Sequence, residues 1–211
     1  SVTSTGGGGV AIGPSALVTG FAGVAVGASS MSTGQSAVVV GPGALASGVN
    51  AGAFGNTAQA TGANSLALGG GNNDLANGPQ GANASGANAI AIVAQANAAG
   101  DNSFAGGTGA VASSVGGVAI GNGAMANDSS NAMSMGTTTA VGNLAMATDE
   151  DAAAFGDKAA ATGFHSTAVG GESVASGRGA QSFGWQSRAT GNLSLAAGHQ
   201  ANAAGVQATA L

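Results

Sequence analysis

Large apolar residues recur along the chain in pairs separated by one small or apolar residue: Val10-Ala11-Ile12, Val24-Ala25-Val26, Val38-Val39-Val40, Leu66-Ala67-Leu68, Ile90-Ala91-Ile92 and Val118-Ala119-Ile120. The alternation has period two, which fits the pleat of a strand and cannot form one face of a helix. A glycine follows most of these triplets, and small residues return three and five positions beyond it, as at Ala44 and Ala46, Ala58 and Ala60, Ala124 and Ala126, and Ala159 and Ala161. The residues between and after them vary and are mostly polar, such as Gln59, Thr61, Asn97 and Asn202. A second strand is predicted there, with alanine on one face and solvent-compatible side chains on the other.

The glycines set the frame. Gly13, Gly27, Gly41, Gly55 and Gly69 lie fourteen residues apart, and the frame reappears at Val93, Gly107 and Gly121, then at Gly142, Gly156, Gly170, Gly184 and Gly198, giving thirteen units. A second glycine falls seven residues after most anchors, as at Gly20, Gly34, Gly48, Gly62, Gly163 and Gly177. Glycine reaches positive φ without steric cost, so Gly13, Gly27, Gly41, Gly170 and their counterparts read as turn residues at two corners per unit. Two strands and two corners, stacked through the chain, predict an all-β fold: a parallel β-solenoid whose thin alanine interior admits nothing larger. The frame slips by ten residues around Gly69–Gly81 and by seven between Gly121 and Gly142. The expected organisation is one domain over residues 1–211: a lead-in over 1–8, repeats over 9–211, and insertions near 70–81 and 128–137. A side chain at Gly71, inside the first insertion, is expected to be nearly silent.

If alanine fills the interior, the large aliphatic column must point outward. Carried by coil after coil, it exceeds the roughly 300–600 Å² apolar patch that a monomer tolerates. The chain is therefore expected to associate with copies of itself through Val10, Ile12, Val24, Val26, Val38, Val40, Leu66, Leu68, Ile90, Ile92, Val118 and Ile120. In the later units Thr139, Ala153, Thr167 and Gln181 replace one member of the column, while Phe54, Phe155 and Phe183 add bulk at the other.

Composition narrows the function classes. The 211 residues include 41 Gly, no Cys and no Tyr; charged residues make up 5% and aromatics 3%, so a conventional packed core is not expected. Disorder fits poorly, because 44% of the residues are hydrophobic and they keep register. A net charge of −5 with three Lys and Arg in total makes nucleic acid a poor partner. No apolar run approaches the roughly 20 residues of a membrane-spanning helix, and the predicted strands fall short of the roughly 9–11 residues of a membrane barrel. The lack of cysteine suits export. With no heptad stalk or neck, the chain reads as a piece of a longer one.

Candidate chemistry is sparse. His165 and His199 are 34 residues apart at corner positions and are expected to face solvent without converging partners. Asp149-Glu150-Asp151 reads as a solvated turn, since a repeat calcium site needs an aspartate ladder in every coil. Gly69-Gly70-Gly71 has no Gly-Lys-Ser/Thr and precedes no helix. No nucleophile–base pair or paired-carboxylate cleft is present, so no catalytic residue, metal ligand, cofactor or enzyme activity is expected. The candidate ligand-binding residues are Trp185 and Arg188, with Arg178 nearby, as an outward aromatic–basic cluster, and Asn72, Asn73 and Asp74 on the first insertion.

The units over Gly9–Gly20, Gly23–Gly34, Ala37–Gly48, Ser65–Gly69, Ala89–Gly100, Gly117–Ala126 and Ser166–Gly177 follow a V-A-I-G, two residues, A-x-A-x-G pattern. This pattern resembles the head repeat of the trimeric autotransporter adhesins, the YadA-like head domain, over nearly the whole chain. The resemblance implies a left-handed parallel β-roll, association as a homotrimer, and display on a bacterial surface. Outer-membrane anchoring would come through C-terminal regions absent from this chain. It also implies non-enzymatic attachment to host cells or to extracellular matrix components, protein or glycan. An ice-binding solenoid is the alternative: Thr19, Thr33, Ser47, Thr61, Thr148, Thr162, Ser176 and Thr190 form a hydroxyl column, although Ala99, Asn127 and Ala204 interrupt it. The hexapeptide period of left-handed β-helix acyltransferases does not match fourteen.

Overall fold

The computed structural model describes residues 1–71, 80–128 and 136–211. The described residues form an all-β parallel solenoid of short strands without a helix. One coil suffices to describe the plan. Val24–Val26 is a three-residue strand, Gly27 opens a corner, Met31–Ser32 is a two-residue strand, Gly34 opens the second corner, and Val38–Val40 begins the next coil. The strands are only two or three residues long because the turn residues at each corner take the rest of the fourteen-residue repeat.

Two compact units divide the chain, Ser1–Gly109 and Ala110–Leu211. In the first, the three-residue strands stack in parallel register through Val10, Val24, Val38, Gly52, Leu66, Ile90 and Phe104. The two-residue strands stack beside them from Thr3–Ser4 through Leu17–Val18 to Asn97–Ala98. Residues 3 and 4, within the lead-in, thus belong to the ladder. In the second unit the register runs through Val118, Thr139, Ala153, Thr167, Gln181, Leu195 and Thr209, with a companion stack from Val111–Ala112 to Asn202–Ala203. Leu66 pairs with Ile90 and Val118 with Thr139, so the ladder steps across both frame slips without losing register.

The interior is alanine, as period two demands. Ala25, Ala44, Ala46, Ala58, Ala60, Ala67, Ala91, Ala124 and Ala126 are completely buried. Serine replaces alanine at several interior positions: Ser30 Oγ donates to the Gly27 carbonyl at 2.8 Å and Ser65 Oγ to that of Gly62 at 2.7 Å, Ser182 and Ser187 pair with each other at 2.7 Å, and the Ser103 and Ser194 hydroxyls are buried without a partner. The expectation that nothing larger fits is wrong at Val18, Val39 and Thr138, which are also fully buried. Val18 fits because glycine stands opposite it. A Cβ on Gly9 would lie 2.7 Å from Val18 Cγ1, and one on Gly23 would lie 3.1 Å from it. The volume added on one strand is removed from the other.

The two corner glycines serve different ends. Gly27 has φ +135°, and a Cβ there would also sit 2.7 Å from the carbonyl of Gly41 in the next coil. Gly48, at the second corner, is absent from the positive-φ residues; a Cβ there would lie 1.9 Å from Gly62 O. Positive φ therefore explains the anchor glycines but not their partners seven residues on, which are glycine so that successive coils can touch. The left-handed turn positions fall elsewhere, on Ser29, Ser36, Asn50 and Asn64 at φ 54–56°. Asparagine tolerates this region better than most residues.

Two positions test these rules. Val93 holds the anchor position with φ +83°, a strained conformation for a β-branched residue. The next bond up the stack, Gly107 N–H to Ile92 O, is 3.2 Å, against 2.8 Å for Gly27 to Ile12 and for Gly170 to Phe155. The longer bond falls at the coil whose anchor is not glycine. Gly71 is not the silent site expected: a Cβ there would lie 2.4 Å from the Gln80 carbonyl carbon, where the two ends of the first insertion meet.

Candidate functional site

The first candidate surface is the outer face of the three-residue strands. With the middle residue of every triplet after the first buried, its two neighbours must face outward. Val10, Ile12, Val40, Leu68 and Ile120 are exposed, Ile12 at 56%, while Val24, Val26, Val38, Leu66, Ile90, Ile92 and Val118 are half-buried by their neighbours in the ladder. Phe155, Val169 and Phe183 continue the face in the second unit. Each unit thus carries an aliphatic ladder one strand wide on its outside.

The second surface is the corner opened by the anchor glycines. Trp185 is 45% exposed and packs against His199 of the next coil, ring centroids 4.7 Å apart and planes tilted by 34°. It packs over Gly171, where a Cβ would come within 3.2 Å of Trp185 Cδ1. Beside it, Gln200 Nε2 donates to Gln186 Oε1 at 2.9 Å and Gln186 Nε2 to Glu172 Oε2 at 2.8 Å. Arg188 lies with Glu172, Gln186, Gln200 and Asn202 around a shallow groove whose lining does not include Trp185. Arg178 does not join them. Its guanidinium sits 4.6 Å over the ring of Phe164, at the other corner of the coil. The expected aromatic–basic cluster is therefore split in two. Asn72, Asn73 and Asp74 lie outside the described residues.

The second corner holds what the sequence reading did not pair. Asp151 and His165 are fourteen residues apart, so they occupy the same turn position in successive coils. His165 Nε2 lies 3.5 Å from Asp151 Oδ2, and ligand atoms of Glu150, Asp151 and His165 all fall within 4.8 Å of one another. The expectation that nothing converges on a histidine fails here, and the fourteen-residue spacing was the signal. The same turn position builds an asparagine ladder at this corner in the first unit, with rungs fourteen residues apart except for the 24 between Asn64 and Asn88, which span the first frame slip. Asn50 donates to Asn64 at 3.1 Å, Asn64 to Asn88 at 3.1 Å and Asn88 to Asn102 at 3.0 Å.

Comparison with known proteins decides the family. The model of the YadA head domain repeat matches residues 32–51, 46–72, 98–124, 134–159, 161–187 and 189–211, more than half of the chain. The chain belongs to the YadA head repeat family. Among solved structures it is similar to the collagen-binding domain of the Yersinia adhesin YadA, with 27% identity and a TM-score of 0.56 over 72% of this chain and 82% of that one. No curated protein sequence matches it.

Membership in the YadA head repeat family accounts for the ladder and the corners, but one face departs from the expectation of polar outer strands. On the two-residue strands the outward position is Leu17, Met31 and Leu45 in the first coils, then Gln59, Asn83 and Asn97. In the second unit it is Val111, Met125, Met146 and Val174 before Arg188 and Asn202. Apolar and polar blocks alternate along this face. The hydroxyl column of Thr19, Thr33 and Thr61 lies one residue beyond these strands, at the start of the corner, rather than on a flat sheet.

Proposed function

We propose that the chain is the head of a trimeric bacterial surface adhesin and that it attaches the cell to extracellular matrix, with collagen the first ligand to try. It is a binding module without catalytic activity. The observation that carries the reading is the outward aliphatic ladder on a solenoid of the YadA head family. Exposed along each unit, Val10, Ile12, Val40, Leu68 and Ile120 need an apolar partner, and a second copy of the same repeat supplies one in matching register. Threefold association follows the family pattern. It leaves the two-residue strands and the corners facing outward, where a matrix fibre with repeated sites is held by many weak contacts summed over three chains and dense display. The similar Yersinia structure is a collagen-binding domain, which supports the choice of ligand.

The test is solid-phase binding to collagen, fibronectin and laminin by the parent chain, by a chain lacking residues 72–79, and by Trp185→Ala. Deletion rejoins Gly71 to Gln80, whose backbones already meet, so the coils keep their bonds to Asn56 and Gln95. The expected result is binding by the parent, a marked loss on deletion and a smaller loss for Trp185→Ala. Parent-level binding by both variants would move recognition to the repeated strand face. Absence of binding by the folded parent to every matrix protein and to host cells would overturn the adhesin reading.

A further inference from the structure

The corner built from Glu150, Asp151 and His165 has no role in the adhesin reading, and its geometry points to a divalent transition-metal site of the zinc class. Three observations carry this. First, the ligand types and spacing fit. One imidazole nitrogen and one carboxylate oxygen from each acid lie within 4.8 Å of one another, and the Asp151–His165 pair is at 3.5 Å. Bonds of about 2.0–2.2 Å to one ion put two ligands at most about 4.2–4.4 Å apart, and tetrahedral ligands at about 3.4 Å. The Asp151–His165 pair is already at that separation, and Glu150, with three side-chain torsions, has at most about 1.4 Å to close from 4.8 Å.

Second, the ligands are oriented by groups outside the site. The Thr137 N–H donates to Asp151 Oδ1 at 3.1 Å, which leaves Oδ2 facing the imidazole. The His165 ring lies flat against Phe164, centroids 3.9 Å apart and planes 12° apart, and Arg178 caps the other ring. The backbone N–H of His165 donates to the backbone carbonyl of Glu150 at 2.9 Å, tying the two coils together beneath the side chains. Partners that hold a ligand in place commonly support metal affinity.

Third, the charge is unbalanced. Asp149, Glu150 and Asp151 are consecutive in a chain with eight acidic residues. Among the described residues these acids form an ion pair through Asp151 and His165, and none with Lys158, Arg178 or Arg188. A divalent cation offsets that repulsion. An imidazole donor beside carboxylates favours zinc, nickel or copper over calcium and magnesium, which prefer all-oxygen shells. The site is half exposed, with His165 at 51% and Asp151 at 52%, so water completes the shell.

The test is isothermal titration of the tag-free, chelator-treated chain with ZnCl2 and separately with CaCl2, repeated on His165→Ala, Asp151→Asn and His199→Ala. Circular dichroism checks that each variant is folded. The expected result is saturable binding of one zinc per chain, weakened about tenfold or more by either corner substitution and unchanged by His199→Ala. The thermal midpoint should rise with ZnCl2 in the parent and stay fixed in His165→Ala. Three results would overturn the inference: no saturable zinc binding by the folded parent, equal binding by His165→Ala, or calcium binding as tight as zinc and insensitive to His165.

Discussion

Replacing Gly48 by alanine tests whether the second-corner glycines exist to let coils touch. Gly48 does not have positive φ, so conformational strain predicts little cost and steric contact predicts a large one. The new Cβ would lie 1.9 Å from Gly62 O and 2.4 Å from Gly62 C, both backbone atoms that cannot swing aside. Reaching an acceptable contact of 3.0 Å requires the coils to part by about 1 Å at this corner. The bond from Ser47 N–H to Ala60 O, now 3.0 Å, would stretch to about 4 Å, beyond hydrogen-bond range. Losing that bond costs about 1 kcal/mol. Overpacking against backbone adds roughly 1–3 kcal/mol, giving a loss of roughly 2–4 kcal/mol per chain. Gly205 is the internal control. It occupies the same position in its coil, also lacks positive φ, and its nearest atom to a new Cβ is Ala208 Cβ at 3.6 Å. Gly205→Ala should be neutral or stabilise by about 0.5 kcal/mol through the unfolded state. Urea denaturation followed by circular dichroism, at one chain concentration, reads both. Equal midpoints for the two variants, or a parent-like Gly48→Ala, would refute the stacking argument.

Val93→Gly should stabilise the chain by about 1 kcal/mol, because relief of a strained β-branched residue outweighs the extra freedom of glycine when unfolded. Amide exchange at Gly107 should slow as its stretched bond shortens, and a lowered denaturation midpoint would contradict the claim that Val93 is strained. Val26→Asp or Ile120→Asp should abolish self-association together with folding, since each places like charges in an apolar interface. Sedimentation that shows an intact oligomer from either variant would mean the wrong face has been assigned to the interface.

Much of the architecture was legible because it repeats. The alternation Val24-Ala25-Val26 fixed which residues face in, and the fourteen-residue interval fixed which residues stack. Even the frame slips could be sized from the sequence, since ladder register survives them. Physical detail was lost wherever one residue answers for another. Val18 is buried only because Gly9 and Gly23 make room, a compensation that spans two strands. The reason for glycine at position 48 is an oxygen in the next coil, invisible to local conformational reasoning. The candidate sites were less legible. Trp185, Arg178 and Arg188 are neighbours in sequence, but corners separate what sequence joins, and Arg178 goes to Phe164. Asp151 and His165 met because the repeat interval applies to polar residues as much as to alanine.

The outward aliphatic ladder is expected to be covered by copies of the same chain. Sedimentation equilibrium of the folded chain, with circular dichroism confirming β structure, measures this most directly. The prediction is a single species at three times the 19.1 kDa chain mass across the accessible concentration range. A folded species at 19.1 kDa, stable on dilution and on concentration, would contradict it.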